Sequence, residues 1–291
     1  MKFGLVTRNR NSWSSTQLRE ALNKHGINHE CFSLLSLNAR VGYTPHLEAT
    51  DLNPLELDAL IIRPIGRGSL EELVFRMDML YKLHRSGIYI LNPPEALEHC
   101  VDKYDVLTIL EEGGVPVPRT MVTQKVDDAL KAFNELGKDV VIKPLFGSRG
   151  LGSTRIKDPE IALTVFKAIT FYHGVIYMQE FLPHGTSDLR AFVIGDQVIA
   201  AMRRVAEGWK TNYSQGARPT TVKLDKALED LAVKSAKLVG CKVAGVDILE
   251  SQKGPVILEV NSQPGWKGLQ SVTQANIADE IVNFVLSELR K

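Results

Sequence analysis

Apolar residues along this chain switch between two periods, and each switch marks an element. "KFGLVT" (2–7) is a short apolar run that reads as a strand, and "SSTQLREALNKH" (14–25) has helical spacing between a serine cap and Gly26. "DALIIRP" (58–64) and "IYIL" (88–91) are further strands, separated by the helical run "LEELVFRMDMLYKLHRSG" (70–87). Strands alternating with helices predict an open parallel sheet over residues 1–92. Beyond Asn92-Pro93-Pro94 the pattern predicts a helix over 102–114 capped by Asp102, an extended proline-rich connector (115–122) and a helix over 126–137. A strand (139–145), the loop "GSRGLGST", a helix (159–172) and a strand (175–182) come next. Two strands over 187–205 turn at Gly195-Asp196. A helix (226–240), a second hairpin (243–261) and a C-terminal helix (276–290) complete an α/β chain.

The second hairpin carries the first chemical signal. In "VILEVN" (256–261), Val256, Leu258 and Val260 alternate to one face, while Glu259 and Asn261 share the other. A turn centred near Lys253 sets Asp247 opposite Glu259, with Asn261 two residues along. Two carboxylates and an amide are hard oxygen donors suited to Mg²⁺ held together with substrate phosphates. Without a cation, the facing carboxylates repel. The plain alternative is a solvated polar face. Val243, Gly245, Leu249 and Ile257 fall on the same face by alternation and argue that it is covered.

Lys143 closes a strand, and Gly147, Gly150 and Gly152 follow it. Glycines let backbone N–H groups approach an anion, and the lysine supplies a point charge. The order of lysine and glycines is neither a Walker A motif nor a dinucleotide fingerprint, and an ordinary glycine-rich hairpin is the alternative. In "MRRVAEGWKTNYSQGA" (202–217), Arg203 and Arg204 end a strand and Asn212 lies in the loop beyond. Strand alternation allows only one of the two arginines to face a site. Arg63 and Arg67 in "RPIGRG" follow a strand's C-terminal end, where open α/β sheets bind ligands; a surface loop is the alternative.

Composition narrows the classes. The 291 residues hold 35 Lys+Arg against 34 Asp+Glu, a net charge of +1 that gives no polyelectrolyte signature for nucleic acid. Three cysteines without a CxxC pair fit reduced thiols better than a disulfide framework. No stretch is long enough for a membrane span, and the first residues lack a secretory apolar region, so a cytoplasmic protein is expected. The histidines show no HxH or HExxH spacing, and no serine sits in a nucleophile elbow.

Taken in order, several pieces resemble the ATP-grasp superfamily, most closely its RimK-like branch of carboxylate–amine ligases. They are Asp102-Lys103, Lys143 with its glycine loop, "MQEFL" (178–182), "DLR" (188–190), "RR…WKTN" (203–212) and "AGVDILE…ILEVNSQPG". The similarity runs from about residue 2 to residue 285. It implies an ATP-grasp fold with an N-terminal open parallel sheet domain over 1–92, an N-terminal and lid part over 93–186, and a part carrying the metal site over 187–291. It implies that Lys103 and Lys143 contact ATP phosphates under a lid of residues 147–152, including Gly147, Ser148, Gly150 and Gly152. Gln179, Glu180, Phe181 and Leu182 would form the adenine connector, with Asp188 near the ribose. Arg203 and Asn212 would face the γ-phosphate and, with Lys143, assist catalysis. Asp247, Glu259 and Asn261 would hold two Mg²⁺ ions, with Mn²⁺ as a substitute.

The activity implied is ADP-forming amide synthesis through an acyl phosphate, in a homo-oligomer (dimer or tetramer) with no nucleic-acid or membrane partner. "LIIRPIGRGSLEELVFRMDML" and "NSQPGWKGLQ" are most similar to archaeal members that add L-glutamate to tetrahydromethanopterin. Members that cap the polyglutamate tail of the deazaflavin coenzyme are next. Arg63, Arg67, Arg190 and Lys267 would read the acceptor's carboxylates. Ligases acting on protein tails or amino-group carrier proteins stay open. Ribosomal-protein-modifying members carry Gly-Gly where "NYSQGA" stands here, so the resemblance reaches the ATP half further than the acceptor half. A non-turnover nucleotide module is a rival of another class, and the complete Asp247/Glu259/Asn261 set argues against it.

Overall fold

The structure, a computed structural model, describes residues 1–49, 52–66, 68–147 and 150–291. The first sheet collects β1 (Lys2–Val6), β2 (Asn28–Phe32), β5 (Ala59–Ile62) and β6 (Tyr89–Leu91) in the parallel order β2-β1-β5-β6. Helices α1 (Trp13–Lys24) and α2 (Leu70–Arg85) connect its strands, and a small antiparallel hairpin, β3 (Leu37–Ala39) with β4 (Leu47–Ala49), is inserted before β5. Both helices start as their sequences dictate. α1 begins at Trp13, one residue before the expected run, with Ser12 as its cap, and Ser69 with Glu72 forms a reciprocal capping box on α2. β2 escaped the sequence reading because "NHECF" is an edge strand with no fully buried residue, so its alternation is faint.

The middle of the chain forms α3 (Pro94–His99), α4 (Lys103–Glu112), β7 (Thr120–Thr123), α5 (Val126–Glu135), β8 (Val140–Lys143), β9 (Thr154–Ile156), α6 (Pro159–Phe171) and β10 (Ile176–Glu180). Its antiparallel sheet runs β7-β10-β8-β9, with α5 and α6 packed on one face around Phe133, Phe166 and Met178. The end of the expected proline-rich connector is thus a strand, β7, paired to β10. β8 and β9 form a hairpin whose loop is the glycine-rich segment.

The last sheet runs β13-β12-β11-β14-β15, built from β11 (Ser187–Ile194), β12 (Gln197–Val205), β13 (Arg218–Thr221), β14 (Val243–Ser251) and β15 (Gly254–Asn261). One face is apolar throughout: Leu189, Ala191, Val246, Ile248 and Val260 pack with Ala232 and Ala236 of α7 (Lys226–Leu238). The opposite face is divided. Phe192, Met202 and Val243 pack with Trp266 and with α9 (Ile277–Glu288), which returns to share a core with Phe3 and Leu5 of the first sheet. Toward its other end that face turns polar and carries Asp188, Arg190, Arg204 and Asp247.

Asn92 clamps the first sheet to the last. Its amide donates to the carbonyls of Val243 (2.7 Å) and Ser262 (2.6 Å) and accepts from the backbone N–H of Lys242 and Val243. The short helix α8 (Lys267–Gln270) follows the Pro264-Gly265-Trp266 turn. Cys31, Cys100 and Cys241 are free thiols, with the sulfurs of Cys100 and Cys241 3.5 Å apart. Among the described residues, no helix is long and apolar enough to cross a membrane.

Candidate active site

Between the glycine-rich hairpin and the polar end of the last sheet lies a cleft open to solvent at its mouth. Two β-bulges decide what faces it. The β14–β15 turn is tighter than expected, with Ser251 opposite Gly254, and that register alone would set Asp247 opposite Leu258. A bulge at Leu258 shifts the pairing by one residue, so Asp247 lies opposite Glu259 and Gly245 opposite Asn261. The expected neighbourhood of the three polar residues is therefore present, but two apolar placements are corrected. Leu258 lines the cleft, and Ile257, expected beside Glu259, is fully buried in the core with Ile248.

The second bulge lies between Phe192 and Val193. The register set at Ile194–Gln197 would otherwise carry Asp188 opposite Arg203; the bulge places it opposite Arg204. The expectation that Arg203 faces the site is corrected accordingly. Arg203 turns to Glu250 and to Ser187 Oγ (3.3 Å), and Arg204 lines the cleft. Arg204 is 3% exposed, grips Asp188 through Nε (2.7 Å) and Nη2, and reaches Asp247 at 3.1 Å. Arg190 holds Asp247 from the other side through Nε and, at 2.8 Å, through Nη2. The two guanidinium groups keep the buried Asp247 carboxyl below the usual carboxylate range, while burial and Asp247's charge push Glu259 up.

Lysines supply the remaining charge. Lys143 Nζ donates to Gln179 Oε1 at 2.6 Å, and Gln179, 2% exposed, is itself fixed by donating to Thr120 Oγ1 (3.0 Å). Burial lowers the Lys143 amine to about 8, against the opposing pull of Glu259. Lys103, in the first turn of α4 beside its cap Asp102, donates to the carbonyls of Leu145 (3.2 Å) and Gly147 (2.7 Å). It thereby ties the glycine-rich loop to the helix. Gly150, at φ +69°, lies so close to Asn212 that a Cβ there would stand 2.3 Å from Asn212 Oδ1. Gly152, at φ +77°, is similarly crowded by Pro144.

At the inner end, Phe181, Leu182, His184 and Trp209 form an aromatic and apolar wall. Arg155 stacks on the Phe181 ring at 3.3 Å, while the Glu180 carboxylate is taken by the backbone N–H and Nε of Arg119. Lys210, Trp209 and His184 were not singled out from sequence, and of the arginine pair the resemblance pointed to Arg203 where Arg204 lines the cleft. The "WK" preceding Thr211-Asn212 is the one local signal that pointed to the first two. Arg63 and Lys267 do not line this cleft; Arg63 donates to Pro264 O, and Lys267 is exposed at the start of α8. Ser148 and Arg67 lie outside the described residues.

The donor set suits a hard cation. Among the described residues there is no cluster of three or more His, Cys, Asp or Glu, so Asp247 and Glu259 supply only part of a coordination shell. Among the described residues Glu259 has no side-chain hydrogen-bond partner, and Asn261 uses only its N–H₂, donating to Gly245 O (3.4 Å). Such a sparse all-oxygen set fits Mg²⁺, which takes its other ligands from phosphates and water.

A cationic, glycine-lidded cleft with opposed carboxylates has counterparts among known proteins. The model of the RimK-like ATP-grasp domain matches residues 100–285. The chain belongs to the RimK-like ATP-grasp family. The tetrahydromethanopterin:α-L-glutamate ligase of Methanococcus maripaludis is 33% identical over 295 residues, covering 99% of this chain and 98% of that one. A probable α-L-glutamate ligase of Pseudoalteromonas translucida is 33% identical over 98% of this chain and 95% of its own length. Among solved structures, the ATP-grasp ligase PsnB complexed with minimal precursor, Mg and ADP superposes with a TM-score of 0.76 at 19% identity, covering 100% of this chain and 98% of that one. The fold is ATP-grasp with an N-terminal parallel sheet, and ligases of this family use ATP and magnesium.

Proposed function

We propose that the chain is an ADP-forming ligase that joins L-glutamate to a carboxylate of tetrahydromethanopterin. The observation that carries this reading is the pair of opposed carboxylates, Asp247 and Glu259, inside an otherwise cationic cleft. Its acceptor follows the near full-length similarity to the glutamate ligases named above.

A free carboxylate is a poor acyl donor. Transfer of the γ-phosphoryl group of ATP to one of its oxygens forms an acyl phosphate and releases ADP. The amine of glutamate then attacks the carbonyl carbon, the C–O bond to phosphate breaks, and the amide remains. Phe181, Leu182 and Trp209 support the adenine. Lys103 and Lys143 neutralise phosphates, and Arg204 with Lys210 stabilises the phosphoryl group in transfer. Asp247, Glu259 and Asn261 would hold two Mg²⁺ ions, with Mn²⁺ as a substitute. When bound, these ions offset the repulsion between the phosphates and the incoming carboxylate. Arg190, beside Asp247, is placed to orient that carboxylate. The loop carrying Gly147 and Gly150 excludes water, which would hydrolyse the acyl phosphate.

The test is ADP release with Mg-ATP and L-glutamate, supplying tetrahydromethanopterin, the deazaflavin coenzyme and acidic protein tails in turn. Stimulation by tetrahydromethanopterin is the expected result. A folded preparation that no acceptor stimulates contradicts the ligase reading, and stimulation by another acceptor alone contradicts the choice of substrate.

A further inference from the structure

The first sheet gathers cationic side chains that the nucleotide cleft does not use. In the parallel order β2-β1-β5-β6 the strand order reverses between β1 and β5, with β2 laid to one side of β1 and β5 to the other, and open α/β sheets bind ligands at such a point, beyond the strands' C-terminal ends. Arg8 follows β1 and Arg63 follows β5, whose backbones are joined there by Arg63 N–H to Val6 O (2.8 Å). Gly66 lets the second loop fold against the first: a Cβ on it would lie 3.4 Å from Arg8 Cδ and 3.5 Å from Arg76 Nη1. Arg76 is neutralised by Glu72. Arg8 and Arg63 make no ion pair with any described residue, and Arg8 is exposed.

The wall contributed by the last domain is short of acceptors. Arg63 stacks on Trp266 at 4.6 Å and donates from Nη1 to Pro264 O (3.0 Å), and the Gln263 carbonyl oxygen accepts from Ile65 N–H. Arg63 Nε, Gln263 Nε2 and Trp266 Nε1 are buried donors with no partner among the described residues. Three such groups in one neighbourhood carry a desolvation cost that an acceptor-only ligand would remove. Burial alone lowers Arg63 to about 10, as befits a guanidinium without a counter-charge. Arg63 is joined to the reaction site by packed groups: Arg190, which holds Asp247, lies with Pro264 against Gly245, and Pro264 O accepts from Arg63.

We propose that Arg8 and Arg63, at the switch point of the first sheet, bind a second anionic group of the acceptor, a carboxylate or a phosphate remote from the carboxylate being activated. This rests on the ligase reading for the identity of the ligand, but not for the existence of the anion site. The exposed Arg8 is the residue to change, because Arg63 also supports Trp266.

In Arg8→Ala, the KM for the acceptor should rise by about tenfold or more, the scale of a lost charge-assisted contact, with the KM values for ATP and glutamate unmoved. Arg85→Ala, at the far end of α2, should leave all three unchanged. Inorganic phosphate and tricarballylate, tested as competitors of the acceptor, separate the two sources: the one whose inhibition weakens in Arg8→Ala identifies the group. Calorimetric binding of the same two anions to wild type and Arg8→Ala needs no turnover, so it stands even if no acceptor is found. Loss of binding in the variant supports the site. Equal binding by both proteins, or an unchanged acceptor KM, overturns it.

Discussion

Arg204 and Asp188 face each other across β11 and β12 as a buried two-point ion pair, and the same guanidinium extends to Asp247 at 3.1 Å. One arginine thus links the strand that borders the nucleotide cleft to the carboxylate of the candidate metal site. Its sequence neighbour Arg203 points to the partly exposed Glu250 instead. The two arginines should therefore behave very differently.

Arg204→Ala strands the buried Asp188 carboxylate, leaves Asp247 with Arg190 alone, and should destabilise the fold by about 3–5 kcal/mol, the range for breaking a buried pair. Arg204→Lys keeps the charge but loses the two-point geometry, so it should fold while losing at least about a hundredfold in kcat. Arg203→Ala removes a pair at the surface and should cost about 0–1 kcal/mol, with turnover within about threefold of wild type. Denaturant unfolding and steady-state kinetics on the three variants check this, and equal losses in the Arg203 and Arg204 variants would contradict the register described.

Gly150 meets Asn212 with no room for a side chain. Gly150→Ala combines a positive φ with that clash, so the loop should no longer seat over Asn212. The loop is local, so the cost to global stability should be about 1–3 kcal/mol or less, while kcat falls by about tenfold to a hundredfold and ATP hydrolysis uncoupled from amide formation increases. Comparing ADP with amide product measures the uncoupling; tightly coupled turnover in the variant would rule out the proposed water exclusion.

Lys143 gives a pH signature. Its amine, lowered to about 8 by burial, is charged below that pH and neutral above it in the nucleotide-free protein. Since phosphates favour the charged form, kcat/KM for ATP should fall as pH rises through about 8, whereas kcat at saturating ATP should fall only at higher pH. Lys143→Arg stays charged throughout and should lose the alkaline limb in kcat/KM. A wild-type profile without that limb would show that Lys143 does not contact the nucleotide.

Glu259 has no hydrogen-bond partner among the described residues and sits beside another carboxylate, so its charge costs stability when no cation is present. Glu259→Gln should keep or slightly raise the melting temperature without magnesium and should abolish turnover. Activity near wild type would remove Glu259 from the metal site.

How far the sequence could be read follows from where its geometry is local. Asp247 was placed opposite Glu259 because the bulge at Leu258 offsets a turn tighter than the one expected, while the helix cap at Asp102 depends on neighbouring residues and was legible. The placements of Leu258, Ile257 and Arg203 were not, because one extra residue in a strand flips everything beyond it and the bulges carry no glycine to announce them. The stacking of Arg63 on Trp266 joins residues from opposite ends of the chain, and only the assembled fold brings them together. Arg8 was invisible for the same reason: its meaning depends on β1 lying beside β5 at the reversal of strand order.

The most direct test of the account follows the oxygen atoms. With the acceptor carboxylate labelled with heavy oxygen, an acyl phosphate requires one labelled oxygen to leave with inorganic phosphate while ADP is formed. Mass spectrometry of the phosphate should find that label in every turnover that yields the glutamyl amide. Unlabelled phosphate, or label recovered in AMP, would contradict carboxylate activation in the Lys143–Arg204–Glu259 cleft.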